Sequence, residues 1–306
     1  MVKSAAAVSI LFILSIFVFI TMKAWPVLKA SGVSLITTNG FDQQVNDAFN
    51  SVAGQESYRF GLLGLIAGTG FTLSFALLFA AVLGVASAVV IVELLPTPLA
   101  IVCRALIRLL ASIPSVIFGL LAVIAVVPFF ASLTNDAMQE RFVGQFQITG
   151  DGLGASAVVL LFMIAPTVVS LSIDALEAVP QHFREAGFAF GLSHFRVIRT
   201  IVLHNARSGI IASIVLAAGR GIGESIAVAM VCGGLGIIPN PAHGFVALVT
   251  PVLPLAPAII NKAEAMNRPA IEAVLFACAF VLLLSGSGLS LGAKLIESRM
   301  NKAAGI

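Results

Sequence analysis

Residues 60–93 read FGLLGLIAGTGFTLSFALLFAAVLGVASAVVIVE, with no charged side chain between Arg59 and Glu93. The hydrocarbon core of a bilayer needs about 20 apolar residues per helix, so this run can cross as a tilted helix with an interfacial extension. Five further runs have crossing length: Ser4 to Met22, Leu109 to Phe130, Gly154 to Ile173, Ser208 to Val231 and Ile271 to Leu291. The whole chain has the same character. Its 306 residues are 59% hydrophobic and 10% charged, and the mean hydropathy is +1.08. Soluble domains carry roughly 25% charged residues, so too few solvated side chains exist here to cover a globular surface. A soluble enzyme, a nucleic-acid binder and a disordered scaffold are excluded. The chain reads as an all-α integral membrane protein with six spans and both termini on one side.

The first run is bracketed by Lys3 and Lys23 and followed by Trp25-Pro26. It exceeds the roughly 7–15 apolar residues of a signal peptide and lacks a small-residue cleavage site, so it reads as an uncleaved anchor over residues 4–22. Basic residues set the orientation. Lys3, Arg104, Arg108, Arg184, Arg196, Arg199, Arg207, Lys294, Arg299 and Lys302 fall on one side, ten in all; Lys23, Lys29, Arg59, Arg141, Lys262 and Arg268 make six on the other, and Arg220 inside an apolar run completes the 17. The richer side is expected to be cytoplasmic, which places both termini and the loop over 179–207 there. The external stretch 31–59 is polar and carries Asp42, Asp47 and Glu56, whereas 234–269 holds six prolines between glycines. Such a proline density prevents one continuous helix. No internal repeat is visible, which weighs against inverted-repeat transporters. The distant cysteines Cys103, Cys232 and Cys278 form no CxxC pair and read as small buried hydrophobes.

The most informative soluble segment is residues 179–204, VPQHFREAGFAFGLSHFRVIRTIVLH. Pro180 suits a first helical turn, and Gly191 offers a stop. A second helix is expected to follow outside the bilayer, with Phe195, Ile198 and Val202 on one face. Exposed Phe183, Phe188 and Phe190 on such a small element fit a partner's groove; the alternative is a pair of interfacial helices resting on lipid headgroups. His182, His194 and His204 have no metal-ligand spacing and read as loop surface or partner contact.

Inside the fifth run, Arg220 and Glu224 require explanation, because an arginine near the bilayer centre costs about 2.5–3.5 kcal/mol. A spacing of four would put both side chains on one helix face and let them pair. One reading is an ion pair that fixes packing. The other is an anion contact, since the guanidinium fork matches tetrahedral oxyanions and stays charged, with Glu224 holding and neutralising Arg220. Ser112, Pro114 and Ser115 form a second candidate, where the hydroxyls either face a pore or repair a proline kink. Thr167 after Pro166, and Ser225 after Glu224, are of the same kind. A membrane enzyme would need acid, base or metal groups clustered at one face, and the acids are scattered.

Glu185-Ala186, then Gly191, then Ile201-x-Leu203 resembles the EAA signature of ABC-importer permeases. Gly187 stands where a second alanine is usual, and His204 where the closing proline is usual. Leu110 to Leu120 (LASIPSVIFGL), the Ala206 to Ile210 stretch followed by Gly219 to Val231, Ile66 to Thr69 and Glu93-Leu94-Leu95-Pro96 are similar to segments of phosphate permeases, and the likeness covers about residues 60–292. It is closest to the C-type permease of the phosphate-specific ABC importer. The resemblance implies a type I importer permease fold: an anchor over 4–22, an external loop over 23–59, a core over 60–292 and a tail over 293–306. It further implies a coupling helix near 181–191, with Glu185, Ala186, Gly187 and Gly191 engaging an ATPase. Arg220 and Glu224 would then line the phosphate path, with Ser112, Ser115, Thr167 and Ser225 as further contacts. The implied partners are two ATPase subunits, a homologous second permease and an external phosphate-binding protein. No cofactor is expected in this chain; ATP and Mg would sit on the ATPase, because no GxxxxGK[ST] loop is present. Molybdate, sulfate or a phosphonate is the alternative cargo.

Overall fold

The structure, a computed structural model, describes residues 2–52, 54–141 and 146–303. The last three residues of the expected tail lie outside that range. Among the described residues six helices are long and apolar enough to cross a membrane, as hydrocarbon demands of a backbone that must satisfy its own hydrogen bonds. They are α1 (Val2–Ser31), α3 (Leu63–Leu94), α5 (Ser115–Ser132), α6 (Leu153–Glu177), α8 (His194–Ile222) and α9 (Pro269–Ala303). Three more helices matter below: α2 (Phe41–Asn50), α4 (Thr97–Ser112) and α7 (Gln181–Ala189).

Several boundaries depart from the hydropathy reading: α1 runs past Met22 to Ser31 with Pro26 inside it, α9 continues past Leu291 to Ala303, and two more have a local cause. The third span was expected from Leu109, but α4 runs to Ser112 and the span begins at Ser115. Ile113 is extended (φ −66°, ψ 129°) because the ring of Pro114 disfavours a helical predecessor, so the chain breaks here rather than kinking. The fifth span was expected over Ser208 to Val231, yet α8 starts at His194 and stops at Ile222. Polar residues such as Arg196 and Arg199 extend a helix without raising its hydropathy, and beyond Gly223 the chain forms only a short separate helix, Ile226–Ala229.

The chain folds as two compact units. The first takes in residues up to Thr72, Gly119–Ser156 and Gly223–Ser285. Here Phe17 and Phe19 of α1 meet Phe280 and Phe276 of α9 at ring-centroid distances of 5.9 and 5.7 Å, and Lys23 pairs with Glu272 at 2.8 Å. The proline-rich stretch is, as expected, broken into short pieces: Pro241–His243, Val246–Val249, Leu255–Asn261 and Ala263–Ala265. Polar contacts stitch the loop between α1 and α3 to it. Asp42 of α2 accepts the Gly236 amide at 2.6 Å with Lys262 at 3.6 Å, and Arg268 lies 3.9 Å from Glu56 and over the Phe49 ring. Backbone bonds from Gly152 to Val231 and from Leu153 to Thr250 hold the start of α6, and one from Val252 to Cys232 joins the two segments it contacts. In the loop ahead of α6, burial raises the pKa of Asp151, whose carboxylate accepts the Thr149 hydroxyl.

The second unit comprises Leu73–Phe118, Ala157–Ile222 and the chain from Gly286 onward. Its core packs Ala88 and Ile91 of α3 with Val169, Ile173 and Leu176 of α6 and Val202 and Ala206 of α8, while Ala100, Cys103 and Ile107 bring in one face of α4. Lipid tails give helices no hydrophobic reason to associate, so close packing and polar links must do it. A Cβ at Gly209 would lie 2.5 Å from that of Ala175, and the buried hydroxyls of Ser172 and Ser213 meet at 3.0 Å. Cys232 and Cys278 are buried as expected; Cys103 is only half-buried.

Candidate functional site

Helix α7 forms where the loop pattern placed it. Pro180 precedes it with extended backbone (φ −59°, ψ 140°), and Gly191 ends it at φ +74°, a left-handed conformation that costs a side-chain-bearing residue about 1–2 kcal/mol. Glu185 and Ala186 are exposed, whereas Gly187 is buried. A Cβ on Gly187 would fall 2.7 Å from Ile201 Cδ1 and 2.9 Å from Val197 Cγ2. The departure from the EAA pattern therefore has a packing reason: α7 lies too close to the start of α8 for an alanine. Gly187→Ala is expected to destabilise the protein by about 1–3 kcal/mol through overpacking, measured as a lower thermal midpoint. An unchanged midpoint would mean that Ile201 swings aside freely.

Residues 194–204 do not form a separate helix outside the bilayer; they are the first turns of α8, which contains a π-helical turn at Ile198–Val202. His204 sits within this continuous helix, where its backbone N–H stays in use and a proline would remove it. Phe190 is 86% and Phe195 72% exposed, and Phe183, Phe188 and all three loop histidines are also open to solvent. A cleft of about 500 Å³ opens beside α7, lined by Glu93, Glu177, Pro180, Arg184, Phe188 and His194 among others.

Arg184, which the motif reading passed over, is half-buried in the lining of this cleft. Its side chain is 13% exposed and that of its partner Glu93 8%, with Nη2 and Oε1 2.9 Å apart. The only signal in the sequence is two opposite charges, one near the end of a span and one in the loop helix, 91 residues apart, which periodicity cannot join. A second link is plainer: Arg104 of α4 pairs with Glu177 at the end of α6.

Within the second unit, Arg220 donates from Nη1 to the Thr167 hydroxyl at 3.0 Å. Thr167 stands near the middle of α6, so the contact sets Arg220 at mid-span depth on that helix, although it is only two residues from the end of α8. The helix dipole favours a cation there. Pro166 lies inside α6 and deletes one of its backbone hydrogen bonds at the same level. Arg220 is exposed in the isolated chain and offers its remaining N–H groups without a carboxylate partner among the described residues.

The expected pairing with Glu224 is corrected. Because α8 ends at Ile222, the four-residue helical relation is never formed. Glu224 instead accepts the Ala227 amide at 3.1 Å within the first unit, leaving Ser225 as a helix cap without a side-chain bond. Arg220 and Thr167 are thus brought together as candidates. Ser112 closes α4, bonded to the Leu109 carbonyl at 2.7 Å, and Ser115 opens α5; neither hydroxyl joins the Arg220 contact.

Comparison with known proteins gives a consistent result. Residues 80–302 match the family model described as the binding-protein-dependent transport system inner membrane component. The phosphate transport system permease protein PstC of Mesorhizobium japonicum is 30% identical over 84% of this chain and 80% of its own length. The Mycobacterium tuberculosis protein named PstC 1 is 36% identical over 59% of this chain and 56% of its own. Among solved structures, a chain of a bacterial alginate ABC transporter in complex with a periplasmic protein superposes with TM-score 0.61 at 14% identity, covering 98% of this chain and 95% of that one. A chain of the inward-facing MetNI methionine ABC transporter gives TM-score 0.54 at 20% identity, covering 77% and 95%. At those identities the structural likeness speaks for the fold alone, that of a type I importer permease.

Proposed function

Since the chain belongs to the family of binding-protein-dependent transport system inner membrane components, we propose that it is the permease subunit of an ATP-driven importer that brings inorganic phosphate across the cytoplasmic membrane. The observation that carries the cargo is the set of phosphate permeases among its relatives, one of them matching over 84% of the chain. The chemistry of the site agrees. A guanidinium held at mid-depth by a single neutral hydroxyl offers a fixed positive charge with donors to spare, as a tetrahedral oxyanion requires.

Transport then consists of binding and release, with no covalent step. An external binding protein delivers phosphate, and the permease alternates its access between the two sides. ATP is hydrolysed, with Mg, on separate subunits. Helix α7, small and rich in exposed aromatics, is the part that meets the ATPase. The complex is proposed to hold two ATPase copies and a homologous second permease, the partner that covers the open side of Arg220. Both termini are proposed to be cytoplasmic, supported by the excess of basic residues on that side and by six spans.

The test is labelled-phosphate uptake by proteoliposomes that hold the whole complex, with ATP inside and binding protein outside. Uptake that needs ATP and resists excess sulfate and molybdate is the expected result. Competition by either oxyanion would move the cargo assignment to it.

A further inference from the structure

Helix α7 is tied to the membrane helices in two different ways. On one side Gly187 packs against Val197 and Ile201 of α8, the helix that directly follows it in the chain. On the other, a single guanidinium reaches two helices remote in sequence. Arg184 donates from Nη2 at 2.9 Å and from Nε at 3.3 Å to Glu93 Oε1, at the cytoplasmic end of α3. It also donates from Nη1 to the Val179 carbonyl at 2.6 Å and from Nη2 to the Leu176 carbonyl at 3.0 Å, at the end of α6. Those carbonyls belong to the last turn of a helix and just beyond it, where intrahelical partners run out and the dipole is negative. The cation is therefore held by α6 as well as by Glu93. Among the described residues this is the only polar side-chain link between α7 and α3 or α6.

Two features mark the link as mechanical. Glu93 sits in a π-helical turn, Val90–Leu94, a wider and less regular coil that recurs at functional sites. Both donors share one carboxylate oxygen, which makes a pivot, unlike the fork-to-fork pairing that would fix the relative angle. We propose that the Glu93–Arg184 pair is a coupling linkage that transmits displacement of α7 to the cytoplasmic ends of α3 and α6. Arg184 is then a positioning residue that acts through Glu93, distinct from the exposed α7 side chains that meet the ATPase. The proposal rests on the reading of α7 as the ATPase-docking helix.

The measurement is phosphate accumulated per ATP hydrolysed by the reconstituted whole complex, for wild type, Arg184→Gln, Glu93→Gln and the double variant. Each single substitution is expected to lower the ratio about tenfold, and the double no further, because both remove one shared interaction. ATP hydrolysis and co-purification of the subunits are expected to persist. Arg184→Lys keeps the charge but reaches fewer acceptors, and is expected to lose only about threefold. Unchanged ratios in the assembled variants would overturn the linkage. So would additive losses in the double variant, or a complex that falls apart even with Arg184→Lys, since the pair would then be a brace. If the wild type carries a different oxyanion, the cargo assignment fails by itself, and the same ratio is read with that oxyanion.

Discussion

Arg220→Gln is expected to lower phosphate uptake by about 100-fold or more, the loss of two charge-assisted hydrogen bonds at about 1.5–3 kcal/mol each, while the complex still assembles. The two halves of this expectation have separate causes. Assembly should survive because, among the described residues, Arg220 makes one protein hydrogen bond, to Thr167, and is exposed in the chain. Removing a charge from the membrane even relieves an insertion cost of about 2.5–3.5 kcal/mol. Transport should fail because an uncharged amide cannot offset the charge of a partly desolvated oxyanion. Arg220→Lys separates charge from shape. A point charge without the planar fork should leave uptake between that of wild type and the glutamine variant. Thr167→Val removes the only described contact that orients the guanidinium, and is expected to raise the phosphate concentration needed for half-maximal uptake more than it lowers the maximal rate. Uptake by Arg220→Gln equal to wild type would return the residue to a packing role.

The membrane class and the number of spans were legible because hydrocarbon thickness imposes a length that a sequence must display openly. Span ends were less legible. Hydropathy reads composition, whereas α8 begins in polar turns around Arg196 and α5 begins where Pro114 forbids its predecessor a helical conformation. The Arg220–Glu224 pairing failed for the same reason: a spacing of four means adjacency only while the helix continues, and this one stops at Ile222. What replaced it, a contact with Thr167 across 53 residues, leaves no periodic trace. The loop helix was legible to within two residues because its punctuation is local: Pro180 before, and a left-handed Gly191 after. Its anchor, Glu93–Arg184, was not, since a half-buried charge pair between distant segments looks in sequence like two unrelated surface residues. Gly187 lies between these cases. Its departure from the motif was visible, but only the approach of Val197 and Ile201 supplies the cause.

The exposed side of α7 leads to the second large effect. Glu185→Arg and Phe190→Asp are each expected to leave membrane insertion and the fold intact, because both residues are exposed and neither forms a side-chain hydrogen bond among the described residues. Each should nevertheless uncouple transport. An aromatic anchor at an interface centre contributes about 2–4 kcal/mol, so an aspartate in place of Phe190 should weaken docking of the ATPase about 30-fold to 1,000-fold. Glu185→Arg reverses a charge at the same surface and should act through repulsion, so its effect should shrink in high salt. The Phe190→Asp effect should be insensitive to salt by comparison. ATP hydrolysis that continues while phosphate uptake stops, or an ATPase that is lost on purification, would place α7 at the docking interface. Normal uptake per ATP with both substitutions present would mean that the aromatic face lies against lipid headgroups, and that force enters the permease by another route.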